Sequence, residues 1–188
     1  MDNPILEKEI NSYMIKIYAD NNPLNPREEW DNFGKMVCFH RNYKLGDKHK
    51  FDIDSLQEFL EENKNKIITL PLYLYDHSGI TMSAKPFSCP WDSGQVGIIY
   101  ATYEEIRKEY KIQRVSPKIL EQVKSRLLSE VEVYDRYLTG QVYGYVVEDS
   151  KGNDVDSCWG FYENPKSVVQ YCEENVVKHY DYQISLAI

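Results

Sequence analysis

Four short segments hold most of the side chains that can do chemistry. They are residues 25–32 (NPREEWDN), 38–47 (CFHRNYKLGD), 75–95 (YDHSGITMSAKPFSCPWDSGQ) and 156–162 (DSCWGFY). All three tryptophans lie in them, with Cys38, Cys89, Cys158, His40 and His77. Tryptophan keeps company with aspartate each time: Trp30 with Asp31, Trp91 with Asp92, and Trp159 three residues after Asp156. One such pair is explained by a Trp that fills core volume beside an Asp that caps a turn. Three pairs inside polar segments point to a site, and the segments are expected to converge in space.

The chemistry that suits these residues best is binding. Trp91, Trp159, Tyr43 and Tyr75 offer flat faces on which a base stacks, worth about 1–3 kcal/mol per base in single-stranded nucleic-acid sites. The run Gly94-Gln95-Val96-Gly97 leads from a loop into a strand, and Ser78-Gly79 marks a similar turn. Backbone N–H groups exposed in such turns form nests for anions. Arg27 and Arg41 stand in otherwise acidic or neutral surroundings and can grip a phosphate with forked hydrogen bonds. The plain alternative for each is a solvated residue or an ion pair with Glu28 or Asp47. The ligand-binding set read from the sequence is Arg27, Trp30, His40, Arg41, Tyr43, Tyr75, His77, Trp91, Asp92, Ser93, Gly94, Gln95 and Trp159. His40, Arg41 and the turn at residues 92–95 hold the polar part of the ligand, and Trp91 or Trp159 its flat part.

Other chemistries fit less well. A metal site can be drawn from Cys38, His40, His77, Cys89 and Cys158 with Asp76 and Asp92, but only Cys38 and His40 form a close pair, whereas zinc sites usually combine two. The expectation is no metal and no cofactor. A hydrolase can be drawn with Cys89 or Ser93 as nucleophile, His77 as base and Asp76 or Asp92 as orienter. Asp76 and His77 are sequence neighbours and face opposite ways on a strand, so that pair cannot serve. No P-loop, dinucleotide-binding glycine pattern, HExxH, GxSxG or calcium loop is present. Catalytic residues are therefore not assigned, and turnover is left open. Acidic runs (Glu104, Glu105 and Glu109; Glu130, Glu132 and Asp135) alternate with Lys and Arg, so they read as solvated helix faces rather than a DNA mimic.

The elements that must position these residues follow from periodicity. Residues 13–18 alternate as a strand, and a short strand spans 35–40. Asp54 caps a helix over 55–63, with Gln57 at the capping-box position and Leu56, Phe59 and Leu60 as its buried stripe. Residues 67–75 read as a strand that Pro71 forces to be bulged or at an edge. The segment after it is loop, with one short strand near 80–83. Residues 96–101 form a strand, and Thr102 with Glu105 boxes a helix to Tyr110. Ser116-Pro117 opens the longest helix, whose stripe of Leu120, Val123, Leu127, Val131, Tyr134 and Leu138 runs to Leu138. A hairpin joins 141–148 to 154–161 through DSKGN, and Asn164-Pro165 starts a last helix to about His179. Strand and crossover helix do not alternate, so the fold expected is α+β. It is a single domain over residues 1–188, an antiparallel or mixed sheet with helices packed mainly on one face.

At 188 residues with net charge −8, the chain is of one-domain size and lacks the cationic surface of a general nucleic-acid binder. No apolar run reaches the roughly 20 residues of a membrane span, and the N-terminus lacks signal-peptide character. The four cysteines are widely spaced, so free thiols and a cytoplasmic location are expected, without direct nucleic-acid or membrane partners. Homo-oligomerisation is compatible with the sequence.

The strings NPREEWDNFGKMVCFHRNYKLGD, LPLYLYDHSGITMS, PFSCPWDSGQVG, YDRYLTGQVYGYVVED and DSCWGFY resemble a group of short proteins encoded by tailed phages, prophages and other mobile elements of bacteria. The resemblance runs from about Tyr18 to Tyr162. It implies an accessory protein that blunts host defence in the host cytoplasm. Such a protein sequesters a nucleotide-like immune signal, or inhibits a defence nuclease complex by binding it, as anti-CRISPR and anti-restriction factors do. A small hydrolase built around His77 and Cys89 is the third reading.

Overall fold

The computed structural model describes residues 3–186, and the chain is α+β with antiparallel pairing throughout. The strands form two four-stranded sheets, and the contacts fall into two compact units: Asn25–Thr139, and the flanking parts up to Leu24 and from Gly140 onward.

The flanking unit begins with β1 (Leu6–Ile10) and β2 (Tyr13–Ala19), a hairpin turned at Asn11 with φ of 55°. The sequence reading has no strand before Tyr13. β1 is LEKEI, an edge strand with three exposed charged residues in a row, and it carries no alternation to read.

The central unit comprises α1 (Pro26–Glu29), β3 (Lys35–Cys38), α2 (Ile53–Asn63), β4 (Ile67–Asp76), β5 (Ile80–Ser83), β6 (Ser93–Thr102), α3 (Tyr103–Tyr110) and α4 (Pro117–Leu138). Its sheet order is β3-β6-β4-β5. α4 buries Val123, Leu127, Val131 and Tyr134 with Met36, Leu72, Leu74, Met82 and Ile99 in one cluster. Each such side chain contributes roughly 1.5–3 kcal/mol, so this face outweighs any surface charge pairing. The aromatic and aliphatic stripe of α2 lies in a second cluster, with Val37, Ile98 and Tyr100. That helix starts earlier than its sequence suggests. Asp52, not Asp54, is the cap, and Ser55 completes the box in place of Gln57.

Two features of the sheet set the site. Pro71 sits in the half of β4 that has β6 as its only neighbour, and a bulge follows at Leu72/Tyr73. This is the edge-and-bulge combination its missing N–H requires. β6 begins at Ser93 rather than Val96, so Ser93, Gly94 and Gln95 pair with Tyr75, Leu74 and Tyr73. Gly97 lets β3 come close: a Cβ there would lie 2.0 Å from the Val37 carbonyl oxygen.

β7 (Tyr143–Glu148) and β8 (Asp154–Phe161) complete the flanking sheet in the order β1-β2-β7-β8. α5 (Pro165–Tyr171) passes through a π-helical segment, Cys172–Val177, into α6 (Lys178–Leu186). Val168, Val169, Cys172, Val176 and Val177 form one core with Ile15, Ile17, Tyr145 and Val147.

Candidate functional site

Sheet order creates a cleft in the central unit. The first half of β6 lies between the end of β4 and the chain leaving β3. Phe39 N–H donates to the Val96 carbonyl at 2.7 Å, and Asp76 N–H to the Asp92 carbonyl at 2.8 Å. Residues 39–41, Leu74, Asp76 and residues 91–96 thereby line one open cleft of about 560 Å³. It collects His40, Arg41, Trp91, Asp92, Ser93, Gly94 and Gln95 from two segments some fifty residues apart.

Around it the polar groups are ordered. His40 stacks on Tyr43, ring centroids 4.9 Å apart and 17° from parallel. The backbone N–H groups of Asn42 and Tyr43 both donate to His40 Nδ1 at 3.3 Å, which leaves Nε2 to carry the proton of a neutral ring. Tyr43 donates its hydroxyl to Asp76 at 3.3 Å, and the Asp76 carboxylate raises the phenol pKa. His77 Nδ1 stands 3.5 Å from Asp92 Oδ2. Arg41 is exposed and has no ion-pair or hydrogen-bond partner among the described residues. Trp91 is 92% exposed, so it is not a core residue.

The same geometry weighs on the hydrolase arrangement. Cys89 Sγ is 3.6 Å from Asp92 Oδ2, the oxygen that also faces His77. The carboxylate thus lies between thiol and imidazole, where a nucleophile needs its base in direct contact. Ser93 donates its hydroxyl to the Cys89 carbonyl. Cys38 is buried, which pushes its thiol up to about 12 and keeps it from acting as a thiolate nucleophile near neutral pH. Among the described residues no group of three or more His, Cys, Asp or Glu side chains is placed to hold a metal ion, and all four thiols are free.

Several residues of the sequence-derived set lie elsewhere. Arg27 is a structural pillar, with a side chain only 1% exposed. It bonds Asp47 twice, Glu130 at 2.9 Å and the Gly34 carbonyl at 2.7 Å, which leaves no fork for a phosphate. Trp30 ends α1 and does not line the cleft. Tyr75 packs beside His77 and Phe87. Trp159 belongs to the flanking unit, where its ring covers Gly144 and approaches Tyr18, centroids 6.2 Å apart. The glycine nest is also corrected. Gly94 and Gly97 lie in a paired strand without positive φ, so their amides do not converge. A true tight turn occurs at Ser78 and Gly79, with φ of 59° and 150°.

Sequence reasoning missed Lys44 and Lys48, which with Arg41 line a second cleft beside the first. Arg41 is therefore not in acidic or neutral surroundings. The signal was present in RNYKLGDKHK, where the one acid, Asp47, is taken up by Arg27.

Searches of family models, curated proteins and solved structures return no match to this chain. The fold and site define an α+β protein with an open, aromatic-edged cleft. No described helix is long and apolar enough to cross a membrane.

Proposed function

We propose that the chain is a counter-defence protein of a phage or mobile element that acts in the host cytoplasm by sequestering a nucleotide-like signalling molecule. The observation that carries this reading is one cleft that combines an unpartnered guanidinium, Arg41, with the exposed indole of Trp91. A base stacks on the indole while the cation takes an acidic group, and the His40 ring offers its Nε2 side beside them. The mobile-element origin rests on the motif resemblance alone. Binding without turnover is favoured because the nearest thiol and imidazole are separated by a carboxylate.

The test is co-purification. Protein isolated from cells with an activated nucleotide-signalling defence, then denatured in acid, is expected to release an ultraviolet-absorbing small molecule unchanged. A chemically altered product would indicate an enzyme.

The exposure of Trp91 also favours the second reading, inhibition of a host defence nuclease complex. Tryptophan is enriched at the centres of protein interfaces, where its burial dominates binding energy. In that case the purified protein carries no small molecule, and a pull-down from the defended host recovers the nuclease complex in a Trp91-dependent way.

A further inference from the structure

We propose that the second cleft beside residues 39–41 is a polyphosphate subsite, which makes the ligand class a nucleotide with two or more phosphates or a dinucleotide. This rests on the nucleotide-binding reading above and adds a location for the phosphates. The two clefts share Phe39, His40 and Arg41, so Arg41 stands on the ridge between them. The second has a volume of about 640 Å³, room for more than a single phosphate.

Its charge is the main argument. Arg41, Lys44 and Lys48 line it, and all three are exposed without an ion-pair partner among the described residues. Two acids also line it. Asp47 shares the Arg27 cation behind it with Glu130 and is further engaged by the Met36 N–H at 2.8 Å. Glu28, exposed at the rim, is the remaining negative charge. In a chain of net −8, three cations gathered on one loop against two acids, one of them sharing Arg27 with Glu130, are a local feature, not a reflection of composition. They are suited to an anion that carries several charges.

A histidine completes the inner wall. His49 lines the cleft, and its Nε2 bonds the Cys38 carbonyl at 3.1 Å. That carbonyl can only accept, so Nε2 is the donor, and the buried Nδ1 has no hydrogen-bond partner.

The test titrates three probes by calorimetry: adenosine monophosphate, cyclic di-adenosine monophosphate and inorganic tripolyphosphate. Each is added to the wild type and to a Lys44→Gln/Lys48→Gln double variant. Both lysines are exposed, and matched melting temperatures establish that the variant is folded. The wild type is expected to bind tripolyphosphate, and to bind the dinucleotide more tightly than the monophosphate. The double variant is expected to lose about tenfold or more for tripolyphosphate and the dinucleotide, with little change for the monophosphate. Equal affinities of the two proteins for every probe would overturn the subsite and leave the nucleotide reading standing. Tripolyphosphate binding without either nucleotide would overturn the nucleotide reading, and with it the proposed ligand class. No binding of any probe by the wild type would overturn both.

Discussion

Arg27 and Asp47 are joined by two parallel hydrogen bonds, Nε to Oδ1 and Nη2 to Oδ2, each 2.8 Å long. The pair ties the α1 segment to the loop that carries His40, Arg41 and Lys44, while Asp47 N–H donates to the Met36 carbonyl at the edge of the sheet. Glu130 on α4 closes the network by accepting from Arg27 and from the backbone N–H groups of Phe33 and Gly34. The cleft is therefore anchored by an ion triad whose guanidinium is buried and whose two carboxylates are partly so.

Removing that triad's cation leaves two partly buried carboxylates without their shared counter-charge. Arg27→Met is expected to cost about 3–5 kcal/mol of unfolding free energy, as breaking a buried pair does. Urea denaturation measures it. A loss below about 1 kcal/mol would mean that the carboxylates find other partners.

Trp91 and Arg41 behave unlike Arg27 if they serve a ligand. Trp91→Ala and Arg41→Ala should each leave stability within about 0.5 kcal/mol of wild type, since both residues are exposed. Loss of the stacking face should weaken nucleotide binding by about 1–3 kcal/mol. Melting temperature and titration on the same protein separate the two effects, and a Trp91→Ala protein that unfolds would place the indole in the core.

Much of this architecture is legible in the chain. The capping box at Thr102 and Glu105, the Ser116-Pro117 start and the buried stripe of α4 are all local signals, and the structure has them where the spacing puts them. What fails to read is what depends on tertiary partners. Arg27 looks the same as Arg41 in sequence, yet its partner Glu130 lies over a hundred residues away. The start of β6 at Ser93 is set by pairing with Tyr75, not by propensity, so Gly94 resembles a loop glycine. β1 escapes notice because an edge strand of charged residues has no apolar face to alternate.

The two glycines of β6 give a further contrast. Gly97→Ala is expected to destabilise by about 3 kcal/mol through overpacking against β3, since its Cβ would meet the Val37 carbonyl oxygen. A Cβ at Gly94 meets nothing within 4 Å, so Gly94→Ala should be neutral for folding. Thermal unfolding of the two variants checks this, and equal melting temperatures would contradict the close β3–β6 approach.

Buried acids set the alkaline limit. Burial raises the Cys38 and Cys172 thiols from an ordinary value near 9 to about 12, and the Tyr134 phenol from near 10 to about 12. Below pH 9 both folded and unfolded chains keep these protons, and the stabilisation is complete. As pH rises from about 9 to 12 the unfolded chain releases them first, so stability falls across that window. The urea midpoint should drop between pH 8.5 and about 10.5, and less steeply in Cys38→Ala. A midpoint that is flat with pH would contradict the burial of these groups.

Thiol accessibility checks the same packing. Cys158 is exposed and Cys89 partly so, whereas Cys38 and Cys172 are buried. In the native protein a thiol reagent should modify Cys158 fastest and Cys89 next, with Cys38 and Cys172 reacting only in denaturant. Fast native labelling of Cys38 would show that the sheet under the cleft opens.

The most direct measurement is the nucleotide content per chain of wild type and Arg41→Ala, purified in parallel from the same defence-activated culture and matched by melting temperature. Wild type is expected to retain a nucleotide-like molecule, released intact by acid, and Arg41→Ala to have lost it while remaining folded. Equal content in the two proteins would remove Arg41 from the site, and no such molecule in either would contradict sequestration itself.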